Sequence, residues 1–208
     1  MKQFKVFTNF EKEEQYLNSM AKQGHLLKKY SFLGFYHFTD GEPQDLKYRI
    51  DYRYFKKQKD FEDYKALFED ACWKHVYGTI HSCNQYFLPK DNNADNSIFS
   101  TEESSASRYK HLYKVCYLTA TVALIYFITI LASYNFNLLD MAFLTPGLWE
   151  KTGVEFWYAF FFELPFVILR IAPLVLLLTI GTAYAIWASK AKKIYKHKLQ
   201  EQKRANLN

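Results

Sequence analysis

Residues 115–134, VCYLTATVALIYFITILASY, hold no charge, no glycine and no proline over twenty positions. A helix rises about 1.5 Å per residue, so the run spans about 30 Å, the thickness of a bilayer's hydrocarbon core. Lys114 stands directly before it, and the next charge is Asp140. A buried helix of a soluble protein seldom stays uncharged that long, because one side usually meets water. We therefore expect a first transmembrane helix over 109–139, with 115–134 as its core.

A second apolar stretch runs from 156 to 188, broken by Glu163 and Arg170 alone. One helix of that length would reach about 50 Å, too long for a bilayer without tilt or kinks. The uncharged part, 171–188, is the expected core of a second transmembrane helix over 164–189, with Pro165 and Pro173 placed to kink it. Residues 140–163 then form an outer loop that ends in an aromatic interfacial segment. Glu163 and Arg170 are candidate membrane-edge charges. They share nearly one helix face and stand about 10 Å apart along the axis. Snorkelling of Arg170 to the outer interface is the plain reading of that charge; an ionisable residue inside the membrane is otherwise a functional candidate.

Charge sets the expected orientation. Residues 135–163 contain one base, Lys151, against Asp140, Glu150, Glu155 and Glu163. The tail, 190–208, contains seven bases against Glu201 alone, and Arg108, Lys110 and Lys114 precede the first span. Both termini are thus expected in the cytoplasm, in a multi-pass protein of the cytoplasmic (inner) membrane. The N-terminus, MKQFKVFTNFEKEE, has no apolar core of the kind a signal peptide carries. The lipid bilayer is the first expected partner, and the basic tail can meet anionic lipid, at about 1 kcal/mol per Lys or Arg. Nucleic acid is not expected, since no helix-turn-helix or aromatic pattern accompanies the bases.

The mean hydropathy of the chain is mildly negative because the charges concentrate before the first span. Residues 1–89 are enough for one small core. Lys2 to Phe7 alternates, as a strand does. Asn9 or Thr8 can cap the helix that follows, Glu11, Glu13 and Glu14 suit its positive end, and Gly24 ends it. Strands over 25–32 and 35–39, the Asp40-Gly41-Glu42-Pro43 turn, and an alternating strand over 48–55 come next. A second amphipathic helix over 60–70 presents Phe61, Tyr64, Leu67 and Phe68, and strands over 73–80 and 85–88 close the pattern. The order strand, helix, strand, strand occurs twice, and the halves align at an offset of 48 residues. The expected fold class is an α+β N-terminal domain, a duplicated strand-helix-strand-strand unit forming one antiparallel sheet with two helices on one face, followed by two transmembrane α-helices. Residues 90–108 are polar and read as a flexible linker, with Ile98 and Phe99 incidental.

No catalytic constellation, cofactor loop or metal-ligand spacing stands out. His81 and Cys83 share a strand face and read as ordinary hairpin residues. The three cysteines, an odd number without a CxxC pair, point away from a disulfide framework. The Glu11/Glu13/Glu14 cluster reads as a helix start rather than an acid–base pair. On the strand over 48–55, Tyr48, Ile50, Tyr52 and Tyr54 share one face and are expected under the helices. Arg49, Asp51, Arg53 and Phe55, joined by Lys5 and Phe7, are expected on the open face as a candidate interaction surface.

Several segments together resemble the DUF2812 family, a domain of unknown function: Phe4-Lys5-Val6-Phe7, the acidic start at Glu11–Glu14, Leu17 through Gly24, Gly41-Glu42-Pro43 with Tyr48-Arg49-Ile50-Asp51, and the Trp73 strand. The resemblance covers 1–89. In bacteria this family commonly forms the cytoplasmic N-terminus of small membrane proteins. Two departures stand out: Ala71-Cys72 precedes Trp73 where a glycine is usual, and Asn84-Gln85 precedes Tyr86-Phe87 where Trp or His is expected. The resemblance brings no catalytic residues, and it nominates a PadR-like regulator as partner. The expected function is a membrane-anchored sensing or protein-interaction module without enzymatic activity or cofactor. The alternative is a transporter accessory or small-substrate permease component, which with two spans would need a homo-oligomer to form a path.

Overall fold

The computed structural model describes residues 1–31, 34–90, 98–99 and 102–205. The chain forms two compact units: Met1–Tyr113 together with the described residues from Lys190 onward, and Lys114–Ser189.

The first unit opens with β1 (Lys2–Phe4), α1 (Phe10–Lys22), β2 (His25–Ser31) and β3 (Phe35–Asp40). It continues with β4 (Arg49–Tyr52), α2 (Gln58–Asp70), β5 (Trp73–Tyr77) and β6 (Asn84–Pro89). The duplication is exact in spacing at several points. Helix α2 starts and ends 48 residues after α1. Gly24 and Cys72, also 48 apart, both take positive φ just past their helices. Each half carries a bulge at the matching place, between Leu27 and Lys29 in β2 and between His75 and Tyr77 in β5. Ladder pairing puts Lys2 opposite His37 and Ile50 opposite Tyr86, so β1 and β4 also correspond at 48 while β3 and β6 correspond at 49.

The strands do not form the single sheet expected. They form two antiparallel three-stranded sheets, a first in order β1-β3-β2 and a second in order β4-β6-β5. Strands β2 and β5 approach each other without sharing a ladder. Both are bulged edge strands, and a bulge twists an edge away from continued pairing. The two helices also do not share one face. Helix α1 packs with Leu27, Tyr36 and Phe38 of the first sheet and with Ile50, Tyr52 and Tyr86 of the second. Helix α2 packs Phe61, Tyr64 and Phe68 on the other side of the second sheet, against Phe87 and Trp73. The second sheet therefore has cover on both faces. Each fully buried large side chain here contributes about 1.5–3 kcal/mol. Tyr109 of the next helix is buried in the same cluster, and Leu112, Ile194 and Tyr195 pack against it.

Helix α3 spans Glu102–Ser133, so residues 102–108 of the expected linker are helical. Residues 91–97, 100 and 101 of that linker lie outside the described residues. Ile98 packs on the α2 cluster. After the short helix α4 (Leu138–Ala142) and a 3-10 turn (Leu148–Glu150), helix α5 runs from Gly153 to Ala205 through both Pro165 and Pro173. The expected aromatic interfacial segment is thus the first part of α5, and the basic tail is its last. Segments Ser104–Ser133 and Gly153–Arg204 are long and apolar enough to cross a membrane. Within the second unit α3 and α5 meet closely: a Cβ added at Gly181 would lie 3.4 Å from the Ala123 Cβ. Small residues permit such an approach.

Candidate functional site

Asn9 caps α1, its Oδ1 accepting from Lys12 N at 2.9 Å. Acidic residues at a helix start are favoured by the aligned peptide dipoles. Here the three glutamates also go three separate ways.

Glu13 points inward and is 2 % exposed. The hydroxyls of Tyr36, from the first sheet, and Tyr86, from the second, each donate to its Oε1 at 2.7 Å. Burial pushes the Glu13 carboxyl up to about 7, although the two tyrosines pull the other way. The neighbouring Glu14 adds to the rise, and Arg108 opposes it. Tyr36 and Tyr86 are both raised, first by burial and then by the Glu13 charge.

Glu14 Oε1 accepts from Ile50 N at 3.1 Å and from Arg108 Nη1 at 2.8 Å. Strand β4 is an edge of its sheet, so backbone groups on its outer side need partners from elsewhere. Asn18 of α1 accepts from Tyr48 N at 2.7 Å, and Arg108 Nη1 donates to Ile50 O at 2.7 Å. Side chains of α1 and α3 thus finish the edge of the second sheet.

Glu11 gathers the two long helices. Its carboxylate accepts from Arg108 Nη2 at 3.0 Å and from Tyr109 Oη, and Lys198 Nζ of α5 lies 3.1 Å away. Burial works to raise the Glu11 carboxyl, but Tyr109, Arg108 and Lys198 together hold it below the ordinary value. Tyr109 Oη also accepts from Phe10 N at 3.1 Å. Arg108 is 3 % exposed, and its guanidinium lies over the rings of Phe10, Phe99 and Tyr109. Its Nε is buried and has no hydrogen-bond partner among the described residues. Burial opposes its charge, but Glu14, Tyr109 and Glu11 raise its pKa overall. A desolvated ion pair offers little net stability by itself, yet losing one partner strands the others in a poor solvent.

The interaction face read from the sequence is open only at Lys5 and Arg53. Asp51 is 2 % exposed, and its carboxylate accepts from Tyr64 Oη at 2.9 Å and from Tyr52 N at 2.8 Å. Phe55 is buried among the rings of α2. Arg49 is half-buried, with Nη1 3.9 Å from Glu14, and Arg53 lies over the Tyr64 ring. Phe7 packs on Tyr16 and Tyr36, and Lys5 Nζ sits 4.1 Å from the Tyr16 ring centroid. Helix α2 covers Asp51 and Phe55 because it packs on the side of β4 opposite α1. Arg108 and Tyr109 were not legible in the sequence as members of this cluster. The available signal was three closely spaced glutamates, which call for cations, but their partner lies 94 residues away.

In the second unit, Glu163 and Arg170 come together. Arg170 Nη1 stands 3.2 Å from Glu163 Oε1 and donates to Ala142 O at 2.7 Å. Glu163 accepts from the backbone N–H of Leu144 and Thr145. The pair therefore ties the end of α4 to α5, with one side chain serving free N–H groups and the other a free carbonyl.

Fold and site define a duplicated α+β domain whose core takes in the first turns of one long apolar helix and the last turns of another. Residues 9–121 match the family described as Protein of unknown function (DUF2812), and the chain belongs to that family. The match begins at the Asn9 cap and ends inside α3, so it contains Glu11, Glu13, Glu14, Arg108 and Tyr109. No curated protein and no solved structure matches the chain.

Proposed function

We propose that this protein is a membrane-anchored, non-catalytic sensing or protein-interaction module. Its α1 glutamates hold the cytoplasmic ends of its two membrane helices. The observation that carries the reading is the cluster in which Glu11 and Glu14 bind Arg108 and Tyr109 of α3 and Lys198 of α5. A change in α1 would shift both helix ends together, because one carboxylate is shared by residues of both. Membrane insertion is supported by the apolar side chains that α3 and α5 leave outward, such as Leu118, Ile125, Leu169 and Leu176. In water each would carry an unfavourable hydration free energy. We place the protein in the cytoplasmic membrane with both termini inside, on the charge asymmetry of its loops. A cytoplasmic regulator of the PadR type is the partner that the family resemblance nominates.

The test uses the full chain in native membranes, in a cysteine-free background, with single cysteines at Ser19, Thr152 or Glu201. A membrane-impermeant maleimide should label Thr152→Cys from the outer side, and the other two only after the membrane is opened. Labelling of all three in intact cells would overturn the topology. The coupling reading predicts that Arg108→Gln raises amide exchange in both the start of α3 and the end of α5. A change confined to α3 would overturn it.

A further inference from the structure

The duplication leaves one half of a contact unused. In the second sheet, the face carrying Ile50, Tyr52 and Tyr86 is covered by α1, and Ile50 and Tyr86 are fully buried. The equivalent face of the first sheet, by ladder register, carries Lys2, Phe4 and His37. There Phe4 is 63 % exposed, Lys2 is exposed, and Phe35 and His37 are half-buried. Helix α2 in turn leaves open the side that in α1 meets the second sheet. Phe10, Glu14 and Asn18 of α1 correspond to Gln58, Glu62 and Ala66 of α2, all exposed.

The two surfaces also match in charge. The first sheet's face has Lys2 above the Phe35 ring, with Lys28 and Lys29 exposed at and beside the β2 bulge. Asp40, at its rim, is taken up by His25 at 2.8 Å. The outer side of α2 carries Glu62, Asp63, Glu69 and Asp70, all exposed, against exposed Lys59 and half-buried Lys65. Lys65 pairs with Glu62 at 2.7 Å and Gln58 donates to the same carboxylate, so the helix stays acidic by the balance of these charges.

We propose that the open face of the first sheet receives helix α2 of a second copy, repeating between chains the contact that the second sheet makes with α1 within one chain. The Phe10 ring meets the Tyr52 ring at 5.7 Å, tilted, inside the chain, so Gln58 of one copy falls against Phe4 of the next. Glu14 takes the backbone of Ile50, so Glu62 falls against Lys2. The contact is head-to-tail: each copy offers one sheet face and one helix, and the association adds copies in line. It rests on charge more than on apolar area, so it weakens with salt. It uses surfaces separate from the glutamate cluster and does not depend on the reading of that cluster.

The experiment uses two full-length chains co-expressed in membranes in a cysteine-free background, one with Phe4→Cys and the other with Gln58→Cys. Oxidation should give a mixed dimer, with neither variant cross-linking to itself. Lys2→Glu on the first chain should lower the mixed yield by roughly tenfold, as should Glu62→Lys on the second. Combining Lys2→Glu with Glu62→Lys should restore it. All these positions are exposed, so unchanged thermal melting confirms that the variants fold. Absence of the mixed dimer, self-linking of Phe4→Cys, or failure of the charge swap to restore the yield would each overturn the proposal. If the lysine variant instead loses binding to vesicles of anionic lipid while the swap restores nothing, the face belongs to a lipid surface and the proposal falls.

Discussion

Cys72 sits at φ 62, in the left-handed region just past α2, where the first half of the domain has Gly24 at φ 83. A side chain strains that conformation, and glycine does not. Cys72→Gly should therefore raise stability by about 0.5–1 kcal/mol, read as a higher unfolding midpoint. Gly24 shows the opposite case: a Cβ there would lie 2.5 Å from Gly41 O, so Gly24→Ala should destabilise. Glu13 supplies the pH dependence. Its carboxyl is pushed from 4.5 up to about 7 by burial, so the folded chain keeps a proton that the unfolded chain releases. Stability from this group is then full below about 4.5 and falls as pH rises to about 7, by up to about 3 kcal/mol. Glu11, held below its ordinary value, acts in the reverse sense, and its contribution is lost as the solution becomes acid. In a titration of unfolding midpoint against pH, Glu13→Gln should remove the fall between pH 5 and 7, since the amide keeps an oxygen for Tyr36 and Tyr86 but cannot ionise. An unchanged slope would place the titrating group elsewhere.

Helix α3 belongs to two environments. Its first turns are part of the domain core through Arg108 and Tyr109, and its later turns expose apolar side chains. Arg108→Ala leaves the buried Glu14 carboxylate without its hydrogen-bonded cation, with only Arg49 at 3.9 Å, so it should lower the domain's stability by about 3–5 kcal/mol. Arg108→Lys should recover only part of this, because one ammonium cannot reach Glu14, Glu11 and Ile50 O in the forked geometry of a guanidinium. Denaturation in detergent, followed through the domain's tyrosines and Trp73, measures both. Farther along, Gly181 faces Ala123 at contact distance. Gly181→Leu should separate α3 from α5 there, with a loss of about 1–3 kcal/mol, whereas Gly181→Ala should be tolerated.

On the scale of the whole molecule, the domain does not end at Pro89. Its main core contains Tyr109 and is backed by Leu112, Ile194 and Tyr195. A fragment of residues 1–89 should therefore melt at a lower temperature and less cooperatively than the first unit does within the full chain. Equal melting of the two in a calorimeter would show that these additions stabilise nothing. The family match, reaching position 121, covers the same additions from α3.

Composition and periodicity were enough to find both apolar spans, both amphipathic helices of the domain and the 48-residue repeat. Each of these is a local property: an uncharged run reports its length, and spacing along a helix or strand reports which residues share a face. Local pattern does not say what covers that face. Asp51 and Phe55 alternate correctly with Ile50 and Tyr52, yet they are buried, because α2 lies on the side opposite α1. The division into two sheets depended on bulged strands that fail to pair with each other. The roles of Glu11, Glu13 and Glu14 depended on partners dozens of residues away. So did the pairing of Glu163 and Arg170 with the Ala142–Thr145 backbone. Desolvation and long-range hydrogen bonding chose those partners, and both act only once the chain has brought distant segments together.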